Sequence, residues 1–155
     1  MTTTAKPQDA IALLKDDHAE VHAWFEEYEG LGDRANVSKS KLVAKICKAL
    51  TVHTRIEEEI FYPAVREAGK ETEEDMVDEA VVEHASAKDL IAQLEEMDPE
   101  DDLYDAKVKV LGELVDHHVE EEEEEMFPDA RKLKLDLVAL AEEMQMRRDE
   151  LAAAV

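Results

Sequence analysis

The chain has 155 residues, 45% of them hydrophobic and 38% charged, with 18 Lys and Arg against 41 Asp and Glu for a formal charge of −23. That acidity excludes nucleic acid and anionic membrane surfaces as expected partners, because both are bound through a basic footprint. The single cysteine, Cys47, excludes an internal disulfide and a zinc ribbon, and the lack of an apolar N-terminal run or of any stretch of about 18 apolar residues sets the expectation of a cytoplasmic protein with no membrane span.

Few glycines and prolines, and many Ala, Leu, Glu, Lys and Met residues, predict an all-α domain over 1–155. The first helix is expected from Pro7 to Tyr28, with the stripe Ile11, Leu14, His18, Val21, Phe25, Tyr28, and Gly30 and Gly32 end it. Ser38 is expected to cap a second helix striped by Leu42, Ile46, Ala49, His53, Ile56 and Ile60. Pro63 should kink or break that helix, and Gly69 stops it. A third helix, capped by Thr72, carries Val77, Val81, His84, Ala87, Ile91 and Leu94 on one face. After a turn at residues 97–100, the fourth helix shows Tyr104, Val108, Leu111, Val115, His118 and Glu122. Pro128 opens or kinks a fifth segment with Leu133, Leu137, Leu140, Ala141 and Met144 on one side. Short connections make neighbouring helices antiparallel, so the expected architecture is an up-down-up-down four-helix bundle over about 8–128 with an additional C-terminal helix over about 129–152.

The chain repeats itself. Residues 53–63 read HTRIEEEIFYP and residues 118–128 read HVEEEEEEMFP. His18 and His84 precede the two copies at nearly the same distance, each on a buried stripe. Each helix hairpin therefore supplies one lone His and one H-x-x-x-E pair. Residues i and i+4 share a helix face, so His53 and Glu57 reach one centre, as do His118 and Glu122. A lone His on an apolar stripe is ordinarily a core residue. Four at symmetry-related positions, two with Glu one turn later, point instead to a dinuclear metal site. Imidazole and carboxylate without thiolate suit iron, with manganese as the alternative. Two His per metal and two bridging Glu leave an octahedral ion positions for an oxo or hydroxo bridge, solvent or a small ligand. Most of the run Glu120 to Glu125 is expected to face solvent; stripe phase turns Glu122, and next Glu125, inward. His117 falls off the stripe and reads as surface. His22, one turn beyond His18, is a boundary residue or an extra ligand. Tyr62 and Phe127 read as core packing, or as a lid over the metals.

These segments resemble the hemerythrin family in its bacterial HHE cation-binding form: His18 in DDHAEVHAWFEE, His53 and Glu57 in HTRIEEEIFYPA, His84 in EAVVEHASAKDL, and His118 and Glu122 in HHVEEEEEEMFP. The resemblance implies that His18 and His53 serve one iron, His84 and His118 the other, and that Glu57 and Glu122 bridge them. Oxygen-carrying members use a further His one turn from the third-helix ligand, where this chain has Ala80 and Lys88, and an Asp five residues after the fourth-helix His, where Glu122 stands at four. The expectation is therefore a di-iron protein that binds O2, NO or peroxide for sensing, storage or detoxification. The rival readings are an enzyme of NO or peroxide reduction or of iron–sulfur cluster repair, and an interaction protein whose fold the metal staples.

Overall fold

A computed structural model describes residues 8–153. Pro7, the expected helix start, lies outside these residues. Helix α1 spans Ala10–Glu29, and Asp9 caps it by accepting from the Ala12 N–H at 2.8 Å. Helix α2 spans Asn36–Ile56 and α4 spans Glu71–Glu95, each preceded by a residue with no side-chain cap. Ser38 and Thr72 thus lie inside helices rather than at their caps, because the chain enters the helical conformation two residues and one residue earlier. Glu71, Glu73 and Glu74 instead favour the positive end of the α4 dipole.

The helix expected to kink at Pro63 does something more specific. After α2 comes a π-helical turn, Glu57–Phe61, in which the Tyr62 N–H reaches back to the Glu57 carbonyl. Helix α3, Tyr62–Ala68, follows directly with Pro63 in its first turn, where a missing N–H costs nothing. The second copy matches: α5 spans Tyr104–Glu121, a π turn spans Glu122–Met126, and α6 spans Phe127–Lys132 with Pro128 in its first turn. The wider turn holds an extra residue and moves the buried face on by one. Phe61, Tyr62, Met126 and Phe127 are therefore buried, and Glu125 is exposed rather than inward. The chain then turns tightly into α4 at Gly69, where a Cβ would fall 2.5 Å from that of Glu73. Val81, expected on the α4 stripe, is 37% exposed, and Ala80 takes the buried position.

Helix α1 packs on α2 and α5, and α4 packs on α2 and α5, closing a four-helix bundle. The last helix, α7, spans Leu137–Ala153 and lies across α1, α2 and the first π turn, burying Ala141 and Met144. Two apolar clusters fill the bundle. One gathers Leu14, Ile56, Phe61, Val65, Phe127 and Met144. The other gathers Val21, Phe25, Ile46, Leu50, Ile91 and Leu111. Between them sits a polar layer made of His18, His53, Glu57, His84, His118 and Glu122, all buried. Among the described residues no helix is long and apolar enough to cross a membrane.

Candidate metal centre

Each of the four helices delivers one histidine to the polar layer, and each π turn opens on its glutamate. Glu57 is 0% and Glu122 1% exposed, so neither carboxylate meets water. Isolated buried carboxylates cost several kcal/mol each, so this layer requires compensating positive charge.

The histidines are oriented by a second set of acids. Nδ1 of His18 lies 2.7 Å from Glu123, that of His53 2.9 Å from Asp17, that of His84 2.7 Å from Glu58, and that of His118 2.8 Å from Glu83. A carboxylate only accepts, so each Nδ1 donates, and each neutral ring turns a bare Nε2 lone pair inward. The arrangement is two-fold. Asp17 and Glu83 hold the histidine of the next helix in their own hairpin, whereas Glu58 and Glu123 hold the lone histidine of the other hairpin. Two of these acids are themselves tethered: Arg148 donates to Asp17 at 2.5 Å and Lys88 pairs with Glu58 at 2.8 Å.

The inward atoms crowd together. Nε2 of His53 and Nε2 of His84 each lie 3.1 Å from Glu57 Oε1, and Nε2 of His118 lies 2.7 Å from Glu122 Oε1. Nε2 of His18 is 3.6 Å from the same Glu122 oxygen. Yet His18 Nε2, His53 Nε2, both Glu57 oxygens and Glu122 Oε1 have no hydrogen-bond partner. These contacts bring acceptor to acceptor, an arrangement that only a proton or a cation between them relieves. The ligand atoms form two overlapping groups within 4.8 Å: His18, His53, Glu57 and Glu122, and Glu57, His84 and His118. The donor set and its orphaned lone pairs fit metal cations.

Protons take that place when metal is absent. Burial pushes the His53 and His118 rings down, but the Glu57 and Glu122 carboxylates carry them up to about 10. Burial and the neighbouring His53 push His18 down to about 4. Burial and the Glu57 charge push Glu122 up to about 8, while burial would also raise Glu57 but His53, Glu122 and His84 together hold it well below its usual range. The two glutamates thus divide into one anion and one acid, as like charges in a shared site must.

The repeat is broken where Tyr62 stands opposite Phe127. Tyr62 donates to Glu122 Oε2 at 3.2 Å, and its hydroxyl lies 3.2 Å from His84 Nε2 and 3.3 Å from His118 Nε2. Its counterpart Phe127 stacks on His18 with ring centroids 5.9 Å apart. One half of the centre therefore faces a phenol and the other a bare ring. Tyr62, Asp17, Glu58, Glu83 and Glu123 are the site residues that stripe phase alone did not select. His22 and His117 stay outside: their side chains are 56% and 64% exposed, His22 against Glu26 and Asp116, His117 against Glu121. Lys88, at a position where a further His would stand, holds Glu58 instead.

The model of the hemerythrin HHE cation binding domain matches residues 9–130. The chain belongs to this family. A DNA nickase from Nostoc sp. is 30% identical over 116 residues, 74% of this chain. The chain spans 31% of that relative's length. A solved hemerythrin HHE cation binding domain-containing protein from Mycobacterium kansasii superposes with a TM-score of 0.80, covering 95% of this chain and 89% of its own, at 21% identity. That likeness bears on the fold. Together with the clustered His and Glu side chains, the family match makes this a metal-binding hemerythrin-like protein.

Proposed function

We propose that His18, His53, Glu57, His84, His118 and Glu122 hold two iron ions, and that the centre binds a diatomic molecule or peroxide for sensing, storage or detoxification. The observation that carries this reading is the set of orphaned Nε2 and carboxylate lone pairs, each ring fixed by an acid at Nδ1. Imidazole and carboxylate favour iron, with manganese second. When bound, the metal pair supplies Lewis acidity and electrons to a small ligand. The protein supplies the rest. Glu57 and Glu122 neutralise cation charge, and the outer acids keep each ring in one tautomer. A cavity of about 30 Å³ beside the four histidines is walled by Val21, Leu50, Ala87, Leu114 and Val115. A water-sized guest fits there.

The acidic surface supports no role on nucleic acid or anionic membranes, and the activity of the nickase belongs to a protein most of whose length lies beyond the match. The free, buried Cys47 supports a reducing, cytoplasmic setting. Tyr62 favours a second reading, turnover of peroxide, because its hydroxyl places a hydrogen-bond donor inside the buried centre, 3.2 Å from Glu122 Oε2.

Anaerobic loading with ferrous iron, followed by iron analysis and exposure to nitric oxide, tests the first reading. About two irons per chain and a new nitrosyl absorption are expected. A folded protein that retains no iron would reject it. Loss of peroxide turnover in Tyr62→Phe at unchanged iron content would favour the second.

A further inference from the structure

On the α4–α5 face the outer acid Glu83 has two jobs. Its Oε1 accepts from His118 Nδ1 at 2.8 Å, while its Oε2 lies 3.6 Å from Nε2 of His117. His117 Nε2 in turn lies 3.0 Å from Glu121, one turn along α5. The three residues bring a ligand atom each within 4.8 Å of the others. Beside them a cleft of about 20 Å³ is lined by Glu79, Glu83, Glu121 and Glu125 and by two residues of the buried centre, His118 and Glu122. Glu79 and Glu125 are exposed, and Glu122 is 1% exposed with its Oε1 unpartnered. The cleft thus runs from surface carboxylates to two residues of the buried centre, Glu122 and His118. Among the described residues none of its four outer acids pairs with Lys or Arg. The cavity on the other side of the centre also meets Glu83 and His118, but its remaining walls are the other three histidines, Asp17, Thr54 and a group of aliphatic side chains.

We propose that Glu83, His117 and Glu121 form an outer divalent-cation site at the mouth of an acidic portal, through which metal reaches the buried centre. This rests on the metal centre proposed above. An open rim of carboxylates raises local cation concentration, and imidazole adds a neutral donor that holds the ion without trapping it. Glu83 links the two sites, because it touches His117 with one oxygen and orients the inner ligand His118 with the other.

The test follows uptake of cobalt(II) by metal-free protein in a stopped-flow spectrometer. His117→Gln/Glu121→Gln alters the mouth and leaves the six inner residues in place. Glu95→Gln/Glu96→Gln, on exposed positions at the far end of α4, removes more negative charge away from the portal. The mouth variant should load roughly tenfold more slowly and reach the wild-type metal content and spectrum, while the control loads at the wild-type rate. His117→Gln alone should give an intermediate rate. Equal rates in wild type and mouth variant would overturn the portal, as would a control slowed as much as the variant. A wild-type protein that takes up no cobalt would overturn the metal centre itself, and the portal with it.

Discussion

Arg148, on the last helix, donates to the Asp17 oxygen that also accepts from His53 Nδ1 at 2.9 Å. One carboxylate oxygen thus ties α7 to the second-helix histidine. Packing Ala141 and Met144 against the bundle brings the Arg148 guanidinium to this point, so the C-terminal helix takes part in shaping the centre.

Asp17→Ala should therefore weaken metal binding by about 10- to 100-fold, the usual effect of removing an acid behind a ligating His. Arg148→Ala, one step further out, should have a smaller effect in the same direction. Competition with a chromogenic chelator measures both. Equal affinity in all three proteins would show that His53 needs no such support.

Tyr62 makes a separable prediction. Tyr62→Phe removes a hydroxyl buried against Glu122 and keeps the ring. Metal-free Tyr62→Phe should lose about 1–3 kcal/mol in urea unfolding, the cost of a buried acceptor stripped of its donor. Phe127→Leu, on the other half, removes only apolar contact and should leave the environment of His84 and His118 unchanged by NMR.

Asp9 gives the pH prediction. Burial alone would raise its carboxyl, but the Ala12 N–H and Arg131 outweigh burial and hold it below its ordinary 3.8. A lowered folded value means stability present above the unfolded value and lost as pH falls through the folded one. Asp9→Ala should cost about 1 kcal/mol at neutral pH, and the gap to wild type should close as pH drops below 3.8. Thermal melts across pH 2–7 check this.

The six inner residues were legible because burial imposes the helical period: five of them sit on the apolar stripes, and Glu57 stands one turn after the stripe residue His53. The acids behind the histidines were not, since each lies one position from an inner residue and off the apolar stripes, Glu58 and Glu123 within acidic runs. A signal was nonetheless present: Asp17-His18 matches Glu83-His84, and Glu57-Glu58 matches Glu122-Glu123. The π turns were hidden for a different reason. A 3.6-residue period cannot register an extra residue in one turn, so Glu125 was placed inward and Phe61 and Met126 went unmarked. The hydroxyl of Tyr62 has no expression in periodicity at all.

Cys47 is predicted to be inert. Burial, with Glu95 nearby, pushes its thiol up to about 12. The thiolate fraction rises with pH, so at pH 8 it is only about one part in ten thousand. Iodoacetamide should leave Cys47 unmodified in the native protein and label it fully in urea, read by mass spectrometry. Fast labelling of folded protein would contradict its burial.

The most direct measurement of the central claim is anomalous diffraction at the iron edge from crystals of iron-loaded protein. Two peaks are predicted, one between His18 and His53 and one between His84 and His118, with Glu57 and Glu122 against both. No peak in the buried layer, or iron confined to the surface beside His117, would contradict it.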